Sequence, residues 1–453
     1  MKKELEKQKK EAIDKITEEI NTYYERLNNA YSDNNLSISM IEKILVDAQK
    51  STKEIIKENG NEAVNTLLDN DVKKNCTKCE EKVRKNSKQK IEIITLAGKL
   101  KLDRSYYYCR SCKTSEIPDD KQLGIENITF KSTKDMLVEI SFYAQNQPSF
   151  KDAKFMINKV YGININEDTV RQIAEYVGEI VHQNDDNRAK NTYENIMNLE
   201  PILQKNKKDN TLYILMDGAA VNTRVQDENG STWRENKLVM AFTKKDMLKL
   251  SKDTNLITKK EYSSYIGSSE NFKKFVLDVA IRAGANEIKK IVILSDGATW
   301  IRNMCKELFP DAIQILDKFH LAENIFEYAK YLYKNEESEY TKWAKIMIDK
   351  IDKGNIEVAL KMIPEIKGKL PKGVVNLKGY ITNNIDKINY KKYKDEGLFV
   401  GSGAIESGNK TVVQRRLKQA GMRWSVEGAQ KILSLRAKWE SNLWKEVTDL
   451  ICA

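Results

Sequence analysis

Three apolar runs in this sequence end on a carboxylate. Residues 211–217 read TLYILMD and lead into Gly218-Ala219. Residues 291–296 read IVILSD and lead into Gly297-Ala298. Residues 313–317 read IQILD and lead into Lys318-Phe319-His320. Runs of this length with β-branched content are expected as buried strands. An acid at the end of a buried strand must be solvated, paired or bound to a cation. Several such acids side by side at the ends of one sheet would suit divalent ions, and so a phosphoryl-transfer site. Taken singly, each Asp is also what a helix cap or a turn requires. The glycines after Asp217 and Asp296 would let a ligand's backbone approach the acids closely.

A fourth acid stands out later. The stretch 397–410, GLFVGSGAIESGNK, is a Gly-Ser-Gly loop running into a helix that carries Glu406 in its first turn. The helix dipole alone would favour an acid there. Yet Lys410 shares its face, and Arg415, Arg416, Lys418 and Arg423 crowd the next turns. One acid in so basic a run is unusual for a simple cap. Four of the six cysteines form two C-x-x-C pairs, Cys76/Cys79 and Cys109/Cys112, with 29 residues between them. Four thiolates on two knuckles can close a tetrahedral, structural Zn²⁺ site. Lys73, Lys74, Lys78, Lys82, Arg84, Lys85, Lys88 and Lys90 surround it, with Tyr106, Tyr107 and Tyr108 beside them. Basic residues with interleaved aromatics suit a nucleic-acid backbone, and a solvated charged face is the plainer alternative.

The elements that must position these residues follow from periodicity. Residues 1–70 read as two charged helices broken at Asp33-Asn34-Asn35, either a dimerisation arm or a solvated hairpin. Residues 71–131 form the zinc ribbon, with strands over 91–96 and 99–108. Residues 132–182 read as three helices (132–143, 149–160 and 167–181) resembling a helix-turn-helix; Asn166, Asp168, Thr169, Arg171 and Gln172 would open the recognition helix. His182 would end that helix as a favourable charge. A polar linker over 183–210 precedes the core. There the prediction is strands at 211–217, 221–226 and 232–243, with a turn at 227–230. A helix at 271–283, a strand at 291–296, a helix at 298–308 and a strand at 313–317 follow. Three antiparallel strands, helix, strand, helix, strand is the order of a ribonuclease-H-like fold. Residues 321–396 read as a helical insertion, and 397–453 as the last part of the core with C-terminal helices. The chain is thus expected to be multidomain α/β: a ribonuclease-H-like catalytic core (211–320 and 397–453) with a helical insertion, preceded by a zinc ribbon and a helix-turn-helix-like domain.

Composition bounds the partners. The 453 residues carry a net charge of +11, are 32% charged and have a mean hydropathy of −0.60. No window reaches the roughly 20 apolar residues of a membrane span, and the first residues lack the apolar core of a signal peptide. A cytoplasmic location and a polyanionic partner, most simply nucleic acid, are expected.

The blocks LMDGAAV, LSDGATW, LDKFH and GSGAIESGNK…QRRLK…GMRWS resemble the signatures of bacterial insertion-sequence DDE transposases of the ISLre type, within the wider Mutator-like class. The resemblance runs from the paired cysteines to Trp424. It implies Asp217, Asp296 and Glu406 as a metal-binding triad for two Mg²⁺ ions (Mn²⁺ as a substitute), with Asp317 and His320 matching a D-x-x-H element. It also implies Lys410 near the scissile phosphate, structural Zn²⁺ on the cysteines, and double-stranded DNA as partner. The protein is expected to act as a homodimer or higher oligomer that cleaves and joins element ends. A nuclease without strand transfer, and a catalytically dead DNA-binding regulator, are the competing readings.

Overall fold

The computed structural model describes residues 2–69, 75–198, 208–251, 255–365, 368–371, 373–401 and 403–453. Lys73, Lys74, Ser402 and the 199–207 part of the expected linker lie outside the described residues. The chain is mixed α/β and divides into two compact units, one of Met1–Tyr143 with Lys151–Ile173, the other of Ala144–Phe150 with Ala174–Ala453.

In the first unit, helices α1 (Lys2–Ser32) and α2 (Ile38–Asp69) form an antiparallel hairpin. Gln8 Nε2 donates to Thr66 Oγ1 at 2.8 Å and Arg26 pairs with Asp47 at 2.8 Å. The chain reverses at Asn34, whose φ of 56° asparagine tolerates better than most residues. The inward face of α1 carries Leu5, Gln8, Ala12, Ile16, Tyr23 and Ala30, a three-and-four spacing that keeps one seam against a partner helix. Strands β1 (Lys85–Thr95) and β2 (Gly98–Tyr108) pair antiparallel, and β3 (Ser115–Glu116) adds to β2. A short helix α3 (Pro118–Gln122) follows. Then come α4 (Lys134–Asn146), α5 (Phe150–Tyr161) and the start of α6 (Glu167–Asn198), whose residues from Ala174 on belong to the second unit, as do those of α4 from Ala144 on. Met136, Ile140, Ile157, Ile163, Val170 and Ile173 make this unit's helical core.

The second unit is built on a five-stranded sheet. Its strands are β4 (Lys208–Asn222), β5 (Trp233–Thr243), β8 (Glu261–Ile266), β9 (Ile288–Ser295) and β10 (Ile313–Leu316), in the order β10-β9-β4-β5-β8. A small hairpin, β6 (Met247–Lys249) and β7 (Asn255–Ile257), stands apart from it. Strands β9 and β10 run parallel to the central β4, while β5 is antiparallel to β4 and β8 to β5. Every residue from Thr211 to Met216 is buried, because both faces of β4 are covered. Leu212, Ile214 and Met216 pack toward helices α7 (Ser269–Arg282) and α8 (Thr299–Leu308). On the other face Tyr213 stacks on Phe242 and meets Phe399 edge-on.

After β10 come α9 (Lys318–Leu332), α10 (Glu337–Asp352), α11 (Ile356–Lys361), α12 (Leu377–Thr382) and α13 (Tyr390–Asp395). Then α14 (Gly403–Gly408) passes into a π-helical turn (Asn409–Gln414) and α15 (Arg415–Leu417). Helices α16 (Val426–Glu440) and α17 (Trp444–Cys452) end the chain.

Several expectations change. The strand predicted over 221–226 is the end of β4, which pairs with β5 without interruption from Leu212↔Thr243 to Asn222↔Trp233. The third antiparallel strand is β8, whose polar sequence EYSSYI hid it. The linker expected from 183 is helix α6 as far as Asn198. Its charges are matched across the fold: Arg188 pairs with Asp185 and Asp278, Lys274 with Asp186, and Lys438 with Asp185. His182 therefore lies inside a helix and not at its end. It stacks on Phe275 and meets Ser434 at 3.3 Å, and burial lowers its pKa. The two C-terminal helices meet at Asn442, with φ of 58°.

Candidate functional site

The parallel arrangement of β4, β9 and β10 brings their C-terminal ends to one edge. The register pairs Leu215 with Leu294 and Ser295 with Leu316. Asp217, Asp296 and Asp317 each follow within two residues, so the three acid-ended runs converge. They line one cleft together with Met216, Leu294, Ser295, His320 and Ile405.

The three aspartates have different surroundings. Asp217 is half-buried; its Oδ1 accepts from the Gly218 amide at 2.8 Å and its Oδ2 from Asn409 Nδ2 at 2.6 Å. Its pKa is nonetheless raised, chiefly by burial and further by the charge of Asp296. Asp296 Oδ1 accepts from the Ala298 amide at 2.8 Å, and the Tyr380 hydroxyl donates to its carbonyl at 3.1 Å. Tyr380 is itself pushed up to about 12 by burial. Asp317 is 1% exposed and caps α9, accepting from the amides of Phe319 at 3.2 Å and His320 at 3.1 Å.

His320 has Nε2 3.9 Å from Asp317 and Nδ1 3.0 Å from Glu323. Burial pulls its pKa down, but Asp317, Glu323 and Asp296 outweigh burial and raise it. Gly297, with φ of 84°, has a reason internal to the fold. A Cβ there would come within 2.6 Å of Leu316, so glycine is required by the turn out of β9 and not by an incoming ligand.

Glu406 is half-buried on α14 and is not among the residues lining the cleft; its neighbour Ile405 is. From this late stretch it is Asn409 that touches Asp217. Sequence reasoning missed it because an amide carries no charge signal, although it lies three residues from Glu406 on a shared helical face. Ser295 and Tyr380 were missed for similar reasons.

The basic residues divide. Lys410, Arg415, Lys418 and Arg423 are exposed. Arg416, expected to contact DNA, is 1% exposed. Its guanidinium lies 4.3 Å from the Phe150 ring centre and 4.9 Å from that of Trp424, and its Nε donates to the Ala144 carbonyl at 2.8 Å. It belongs to the core because aromatic faces and backbone carbonyls replace its hydration. Early in α6, Arg171 pairs with Asp168 at 2.7 Å and Gln172 donates to the same side chain at 2.6 Å.

The cysteines form the second candidate centre. The Sγ atoms of Cys76, Cys79, Cys109 and Cys112 all lie within 4.8 Å of one another. Among the described residues this is the only such group of three or more ligand side chains; Asp217, Asp296 and Glu406 do not form one. The two knuckles share a design. The Cys76 amide donates to Glu81 O and the Cys109 amide to Thr114 O, each at 2.8 Å. The residue after each pair, Glu80 or Lys113, has φ of 60° or 56°. Amides of Lys78 and Cys79 draw the Cys76 thiol down to about 6. An amide from Glu81 favours the Cys79 thiolate, yet Cys109 and the other thiols outweigh it and push Cys79 up to about 12. Four crowded thiols cannot all ionise without a cation among them, so the set could hold a metal such as zinc. Of the expected aromatics, Tyr107 is 2% exposed, since alternation turns it inward. Lys85 and Lys88 are both engaged by Asp69.

Among the described residues no helix is long and apolar enough to cross a membrane. Comparison with curated proteins finds no match. A family model does match, over residues 31–448, and the chain belongs to that family, the uncharacterised protein family UPF0236.

Proposed function

We propose that this protein is a DDE transposase of the ISLre type, binding the ends of its element and catalysing metal-dependent DNA cleavage and strand transfer. The observation that carries the reading is the shared edge of β4, β9 and β10, where Asp217 and Asp296 face one cleft. Sheet order and direction support it: β8-β5-β4-β9-β10, with the first three strands antiparallel and the last two parallel to β4, is the strand plan of a ribonuclease-H-like core. The oxygen-rich donor set suits a hard divalent cation such as Mg²⁺ or Mn²⁺. A pair of such cations, when bound, activates the attacking oxygen and stabilises the leaving one. Asp217 and Asp296 would hold them, with Glu406 brought in from α14. His320, whose protonated form its carboxylate neighbours favour, would orient a phosphate oxygen, and exposed Lys410 would meet the DNA strand.

Around this core we read residues 76–116 as a zinc ribbon and α4–α6 as helix-turn-helix-like, with Arg171 and Gln172 toward DNA. We read α1 as a self-association element. Besides its inward seam it exposes Ile13, Ile20, Tyr24 and Tyr31, at 52%, 48%, 65% and 70%. With Thr17 and Leu27 these complete a second heptad stripe. The stripe is self-complementary: antiparallel pairing with a second copy about Thr22 sets Ile13 against Tyr31 and Ile20 against Tyr24. Sedimentation of the full chain checks this. Ile20→Glu with Tyr24→Glu should yield a monomer, and an unchanged mass would remove the seam.

The test of function is a nicking and joining assay with Mg²⁺ on DNA carrying the sequences that flank the gene. Joined products are expected, and Asp217→Asn or Asp296→Asn should abolish both steps with DNA binding kept. Nicking without joining would leave the nuclease reading. One observation favours the regulator reading, the position of Glu406 outside the cleft lining; DNA binding without any cleavage would establish it.

A further inference from the structure

The π-helical turn Asn409–Gln414 begins where α14 ends. Such turns insert a residue into a helix and recur at functional sites. The junction is held tightly against the sheet: a Cβ on Gly408 would come within 2.9 Å of Tyr262 Cε1 and 3.4 Å of Leu238 Cδ2. Asn409, the next residue, is 4% exposed. Its Nδ2 donates to Asp217 Oδ2 at 2.6 Å, while its Oδ1, equally buried, has no hydrogen-bond donor among the described residues. The amide orientation is dictated by chemistry, since the reverse would set two oxygens 2.6 Å apart. A buried acceptor without a donor, on a side chain that already grips a carboxylate in a cleft, marks a place for an absent donor.

We propose that Asn409 is the positioning residue of the cation site. Its amide N–H fixes the Asp217 carboxylate, and its Oδ1 accepts a hydrogen bond from a water on a divalent cation held by Asp217. The inference rests on the phosphoryl-transfer reading above and adds a residue which that reading did not include. Outer-shell partners of this kind orient a ligand and typically change metal affinity by about 10–100-fold.

The experiment is a Mn²⁺ titration of the full-length, zinc-loaded protein, followed by the electron paramagnetic resonance of free Mn²⁺, with thermal midpoints measured in parallel. Asn409→Leu, similar in size, should weaken Mn²⁺ binding by about 10–100-fold with the circular dichroism unchanged. Asn409→Asp keeps an acceptor oxygen and adds charge. It should bind Mn²⁺ at least as tightly as the natural protein and show a larger rise in thermal midpoint on adding it. The Asp variant also serves if the Leu variant does not fold, since a merely structural asparagine would not be rescued in this cation-dependent way. Equal affinity in all three proteins overturns the assignment of Asn409. Failure of the natural protein to bind Mn²⁺ overturns the reading beneath it, and the inference with it.

Discussion

Arg416 and Arg415 are adjacent in sequence and opposite in circumstance. Arg415 is exposed, while Arg416 is held between Phe150 and Trp424 and donates to a buried carbonyl. Removing a buried, hydrogen-bonded charged group leaves unpaired acceptors and a cavity. Arg416→Ala should therefore cost about 2–4 kcal/mol in urea unfolding. Arg415→Ala and Lys418→Ala should stay within roughly 0.5 kcal/mol, as surface changes do, while lowering DNA affinity. A second residue-scale prediction concerns His182, whose pKa burial depresses. A histidine with a folded pKa below its unfolded value stabilises the fold above the unfolded pKa, and that stability fades as pH falls through the folded one. Between pH 7 and pH 5 the natural protein should lose more thermal stability than His182→Gln, in which this proton uptake is absent. Parallel slopes in the two proteins would contradict the assignment. Both residues were visible as charged side chains, but nothing local marked which of them the core would absorb.

At the scale of elements, strand ends and their turns carry the argument. Gly297 leaves β9 with a positive φ and with Leu316 where a Cβ would stand. Strain of this backbone type costs about 1–3 kcal/mol, and displacing Leu316 adds to it. Gly297→Ala should lower the thermal midpoint clearly, whereas Gly230→Ala, at a turn with a similar φ but open space around it, should show the backbone part alone. The cysteine knuckles are a second self-contained element, with matched amide bonds and matched left-handed residues. If they hold zinc, a chelator or Cys109→Ser should release about one ion per chain and melt the β1–β2 hairpin. Hydrogen exchange would report this as lost protection over residues 85–108, with the five-stranded sheet still protected. These elements were legible in advance because their signals are local: paired cysteines, apolar runs, and a glycine after an acid. Strand β8 was not, since its serines face partners that only the assembled sheet supplies, among them Asn236, which accepts from Ser264 Oγ at 2.7 Å.

For the whole molecule, a net charge of +11 would make the proposed association with DNA an electrostatic matter. Affinity should fall log-linearly with salt, by orders of magnitude between about 50 and 200 mM if several phosphates are contacted. A flat response would remove the polyanion argument. The sequence by itself determined the acid-ended strands, the four-cysteine set and the helical hairpin at the start, because each is a short-range pattern of burial and turn chemistry. It also contained the family relationship, which spans residues 31–448. Only the tertiary structure decided which side chains share a cleft. Asp217, Asp296 and Asp317 meet because β4, β9 and β10 are parallel. Asn409 reaches Asp217 across 192 residues because α14 and the turn that follows it pack against the central strand β4. Arg416 leaves the surface because two aromatic rings close over it. Contacts between residues this far apart depend on strand order and helix phase, which no local spacing encodes.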